Sequence, residues 1–213
     1  MERHIDLTTG SIMDKLIKLA IPIMGVSFIQ TAYNLIDMIW IGKLGAAVGT
    51  AGFFTWLAEA FIMIAKLGVT IKVSQSIGQK DYKKTKSYII SGLQINLCLA
   101  MIYSIFLLIF HNELIQFFNL GNVEVIEMAK IYLITVAIGM LFFFSGPVFS
   151  GIFNGMGDSK TPFIINTIGL AFNIIFDPVL IFGWAGFPKL GVLGAAIATV
   201  TAQIIVTACF IIA

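Results

Sequence analysis

Apolar residues fall in six long runs, at about 16–41, 48–74, 88–109, 127–149, 163–182 and 192–213, separated by short polar stretches. Each run reaches the roughly 20 residues that a helix needs to cross a bilayer core of about 30 Å. The runs are continuous, whereas a membrane β-barrel would show segments of about 10 residues alternating apolar and polar. The pattern therefore predicts an all-α membrane protein of six transmembrane helices, with a polar segment at 1–14 and a helical unit at 15–213. Ser11 or Asp14 is placed to cap the first helix.

Composition sharpens this picture. The chain is 59% hydrophobic and 11% charged, with a mean hydropathy of +0.99, against about 25% charge in a soluble domain. The net charge of +2 says less than where the lysines lie. Arg3, Lys15 and Lys18 flank the first helix, Lys80, Lys83, Lys84 and Lys86 follow the second, and Lys160 follows the fourth. The opposite loops hold Lys43, Lys130 and Lys189 with Glu113, Glu124 and Glu127. The positive-inside bias puts the N-terminus in the cytoplasm and the protein in the cell membrane. The lysine cluster reads first as this topology signal, and second as a lipid-headgroup or regulatory site. The N-terminus lacks a cleavable signal pattern. The C-terminus stops within an apolar run, so the chain is expected to be part of a longer protein.

Several sequence features carry no chemistry. Cys98 and Cys209 sit in apolar runs without metal-ligand spacing. No phosphate loop, metal cluster or nucleophile elbow is present, so neither an enzyme nor a nucleic-acid binder is expected. His4 and His111 lie in polar ends. The stretch 154–158 reads as a tight turn before Pro162 opens the fifth helix. Gly45 with Gly49, and Gly151 with Gly155, have the four-residue spacing that lets helices approach closely. The tetrapeptide Leu-Gly-Ala-Ala at 44–47 and 193–196 is too short to establish a repeat.

The candidate chemistry lies in intramembrane polar groups. Asp177 is the only charge in 163–182, and an intramembrane carboxylate normally faces a bundle interior or a water-filled cavity. Asn173 is four residues earlier and shares its helix face. Pro178 lacks an N–H, which leaves the Ile174 carbonyl without its helical donor. Gln30, Asn34 and Asp37 share a face of the first helix, although Asp37 is near enough to the helix end to be simply hydrated. Counting about 1.5 Å per residue, Asp177 is about 24 Å from the cytoplasmic end of its helix, and Asp37 about 6 Å from the outer end of its own. Tyr132 lies at similar depth and also fits an interfacial tyrosine belt. Glu59 and Lys66 are seven apart on one face of the second helix, about 10.5 Å along the axis. Glu59 needs a cavity or partner, whereas Lys66 can extend toward the cytoplasm.

In this order and spacing the residues resemble the multidrug and toxic compound extrusion (MATE) transporters. The matching stretches are 20–24, 33–37 with 42–45, 154–162, 173–178 and 191–199. The resemblance implies one six-helix lobe of a twelve-helix antiporter that exports organic, often cationic compounds in exchange for H⁺ or Na⁺, with no other cofactor. It implies lipid, small organic substrates and a second lobe of the same protein as partners. It also implies a cation site of Asp37, Asn173 and Asp177, with Tyr132 on helix 4. A threonine expected on helix 6 falls at Ala195, with Thr199 one turn later. Gln30, Asn34, Glu59 and Thr199 are candidates for the substrate cavity. Two alternatives are a lipid-linked oligosaccharide flippase of the same superfamily, expected to have a cationic cavity, and a membrane subunit that does not transport.

Overall fold

The computed structural model describes residues 12–41 and 45–213; the side chains of 12, 33, 34 and 36–41 lie outside that description. Among the described residues six helices follow one another: α1 Ile12–Ile41, α2 Gly45–Gly78, α3 Tyr82–Gln116, α4 Val123–Gly155, α5 Lys160–Phe182 and α6 Val192–Ile212. A short 3-10 turn, Trp184–Gly186, lies between the last two. All six are long and apolar enough to cross a membrane.

Helices α3, α4 and α5 begin before their apolar stretches because polar caps, not the edge of the hydrocarbon, start them. Asp81 starts α3 by accepting from the Lys84 amide at 3.0 Å, and Asn122 starts α4 by accepting from the Glu124 amide at 2.9 Å. Asp158 starts α5: one carboxylate oxygen accepts from the Lys160 and Thr161 amides at 3.2 and 3.1 Å, and the other from the Thr161 hydroxyl at 2.6 Å. Helix α5 therefore opens at Lys160, with Pro162 already in its first turn. Asp14 sits inside the first turn of α1 instead of capping it, and Ser11 lies outside the described residues.

Helix α4 is the centre of the bundle. It packs extensively on α2, α3 and α6; α6 packs on α5, and α5 on α1. Phe144, Met140, Val136 and Leu133 of α4 are almost wholly buried. Polar crosslinks fasten α2, α3 and α4 together. The Tyr103 hydroxyl donates to the Phe54 carbonyl at 2.6 Å, Ser104 to the Ala137 carbonyl at 2.6 Å, and Thr70 to the Gly151 carbonyl at 3.0 Å. Small residues allow this closeness. A Cβ on Gly151 would lie 2.6 Å from Thr70 Oγ1, and one on Gly155 would lie 2.8 Å from the Thr70 carbonyl oxygen. The other glycine pair does not pack this way: nothing lies within 4 Å of a Cβ placed on Gly45 or Gly49. Spacing was identical in the two pairs, but only the second faces another helix backbone.

Candidate functional site

Two features bring the intramembrane polar candidates together. The first is the α5 pair. Asn173 and Asp177 are both 0% exposed, and Asn173 Nδ2 donates to Asp177 Oδ1 at 3.1 Å. The four-residue spacing on a continuous helix brings the side chains together. Asn173 Oδ1 is buried with no hydrogen-bond partner among the described residues. A buried acceptor without a donor costs about 1–3 kcal/mol. Next to a carboxylate it forms an oxygen-rich spot suited to a proton or a hard cation. Helix α1, which carries Asp37, packs on α5; the side chains of Asp37 and Asn34 lie outside the described residues.

The second feature is a cavity of about 380 Å³ between α1, α2, α4, α5 and α6. Its wall includes four of the sequence candidates: Gln30, Glu59, Tyr132 and Thr199. Asn173 and Asp177 are not part of that wall. Tyr132 is 5% exposed, so it is inside the lobe and not on its lipid-facing surface. The Thr199 hydroxyl donates to the Ala195 carbonyl at 2.9 Å, which ties it to the position where the resemblance expected a threonine. Glu59 lines the cavity, whereas Lys66 is not in the wall and its Cγ lies 3.1 Å from where a Gly151 Cβ would be.

Sequence reasoning missed Thr55, Asn166, Gln203 and the Phe143–Pro147 pair, all in the cavity wall. A signal existed for some of them. Asn166 and Gln203 are polar residues within spanning runs, and Gln203 is one turn from Thr199. Pro147 lies within α4 and has no N–H for the Phe143 carbonyl, so a backbone acceptor is freed at the cavity just as at Ile174. Asn166 is partly committed, donating to the Pro162 carbonyl at 2.7 Å.

Six helices long and apolar enough to span a bilayer, with a cavity between five of them and a fully enclosed carboxylate on α5, define a multi-pass membrane protein. The MatE family model matches residues 22–179. The chain belongs to this family, the MATE transporters. Over 198 residues it is 30% identical to a probable multidrug resistance protein NorM of Thermotoga maritima, covering 91% of this chain and 42% of that protein. A crystal structure of MATE in a bent conformation superposes with a TM-score of 0.82 at 28% identity, covering 94% of this chain and 45% of that one. A transporter of the MOP superfamily from Pyrococcus furiosus, described by the reverse polarity of its binding pocket and a different function, superposes with a TM-score of 0.79 at 28% identity, covering 92% of this chain and 43% of that one. The chain thus spans less than half the length of these relatives. It has the fold of one six-helix lobe of a MATE transporter.

Proposed function

We propose that this chain is the N-terminal lobe of a secondary antiporter that exports small organic compounds, many of them cationic, across the cell membrane in exchange for H⁺ or Na⁺. A second six-helix lobe of the same protein is its partner, since alternating access moves one repeat against another around a central site. The carrying observation is the fully enclosed Asn173–Asp177 pair with its unpartnered amide oxygen. Stability alone gives no reason to bury such a group in a membrane helix, whereas an ion that binds and leaves does.

In this reading Asp177 holds the proton or shares Na⁺ with Asn173 Oδ1, the freed Ile174 carbonyl and Asp37 from α1. Tyr132 and Thr199 line the route between this pair and the substrate. Exchange requires that ion and substrate weaken each other's binding, and linkage makes that effect reciprocal. The flippase reading calls for a cationic cavity. The cavity charge here, among the described residues, is the carboxylate of Glu59, which favours the exporter.

Asp177→Asn tests the reading, because it keeps size and most hydrogen bonding and removes the charge. In the complete transporter containing this chain, the variant is expected to insert at wild-type level while ion-driven efflux in proteoliposomes falls to background. Wild-type efflux with unchanged ion dependence would show that the pair is structural.

A further inference from the structure

The cavity and the enclosed pair are separate acidic places. Asp177 is 0% exposed. Glu59 is exposed in the lobe, lines the cavity, and is the only charged residue in the wall among the described residues. It sits 14 residues into α2, about 21 Å along the axis from the start of that helix. Water is scarce at that depth, and a carboxylate there needs a cation or a polar partner. Lys66, two turns away with its stem against α4, makes no ion pair with it among the described residues.

The face of α2 around Glu59 is built for a flat guest. Gly49, Gly52, Trp56 and Glu59 follow at helical spacing and all line the cavity. A Cβ on either glycine would meet nothing within 4 Å among the described residues, so no described helix packs on them and they leave room in the cavity. Trp56, one turn before Glu59, is 69% exposed, and the Tyr132 ring lies in the wall contributed by α4. Aromatic faces attract organic cations, and a carboxylate beside them supplies the opposing charge.

Resting on the exporter reading above, we propose that Glu59 is the counter-ion for the positive charge of organic-cation substrates, with Trp56 and Tyr132 flanking their flat bodies, while the enclosed Asn173–Asp177 pair serves the coupling ion. Selection of substrate charge and ion coupling then reside on different helices. Removing Glu59 changes which substrates bind without removing the ion site.

The test compares two probes of nearly the same shape, 1-methyl-4-phenylpyridinium and neutral 4-phenylpyridine, by equilibrium dialysis at alkaline pH against the complete detergent-solubilised transporter. Glu59→Gln is expected to weaken binding of the cation at least about tenfold, the factor for one charge-assisted contact, with the neutral probe within about twofold of wild type. Glu59→Asp, which keeps the charge, is expected to retain the preference for the cation. Equal loss of both probes, or of neither, in Glu59→Gln overturns the proposal. So does a preference that survives Glu59→Gln and vanishes in Asp177→Asn. Wild-type protein that binds neither probe would instead overturn the exporter reading, and this inference with it.

Discussion

At the residue scale, side chains of the same chemistry do different work according to what surrounds them. Asp158 is 3% exposed and spends both oxygens on the start of α5, so its charge is structural. Asp81 lies outside the membrane spans. The Lys84 amide, and then the Lys84 ammonium, hold its carboxyl below the ordinary carboxylate range. The ion pair spans 3.0 Å. A lowered folded-state pKa means that Asp81 contributes stability above its unfolded pKa, and that this contribution is lost as pH falls through the folded value. Asp81→Asn is therefore expected to lower the melting temperature of the detergent-solubilised protein at neutral pH and to match wild type near pH 2. A constant gap in melting temperature across that range would show that Asp81 acts without its charge. Asp177 differs from both: it accepts from Asn173 inside a helix that needs no cap there.

At the scale of elements, the α2–α4 contact holds the α2 wall of the cavity in place. Gly155→Ala would place a methyl 2.8 Å from the Thr70 carbonyl oxygen, a backbone atom with little room to yield. It is expected to destabilise the protein by about 1–3 kcal/mol, the range for overpacking, read from thermal unfolding in detergent. Gly49→Ala, with open space around it, is expected to be neutral or to stabilise by up to about 1 kcal/mol from helix propensity. Equal costs in the two variants would refute this assignment. The contrast also shows what was legible in the sequence. Six helices were legible because each must bury a spanning length of backbone in hydrocarbon, and long apolar runs are the direct mark of that need. The Asn173–Asp177 contact was legible because it is local, set by helical spacing. Which glycines pack, that Glu59 but not Lys66 lines the cavity, and that Asn166, Gln203 and Pro147 join Gln30 in one wall were not legible. Those facts depend on which helices are neighbours and how each is rotated, and nearly all-round apolar helices carry little periodicity to report rotation.

At the scale of the whole molecule, the placement of charge sets which way the lobe sits in the membrane. Six single spans put the hairpins at 79–81 and 156–159 at one end, and the links at 117–122 and 183–191 at the other. The first end carries Lys72, Lys80, Lys83, Lys84, Lys86 and Lys160. At the second, Lys130 is tied to Glu127 at 2.9 Å, which leaves Lys189 as the unneutralised cation among the described residues of that end. Lys84 is likewise tied to Asp81, and the lysines that remain still favour the first end, which predicts that the 79–81 hairpin is cytoplasmic. In a background with Cys98 and Cys209 replaced by alanine, Lys83→Cys should resist a membrane-impermeant thiol reagent in intact cells and react after permeabilisation. Phe117→Cys, at a position 80% exposed in the opposite link, should react without permeabilisation. The reverse pattern would invert the lobe. It would also move Asp177, about 24 Å along α5 from Thr161, from the outer part of the membrane to the cytoplasmic part, and the ion would then have to reach the enclosed pair from the other side.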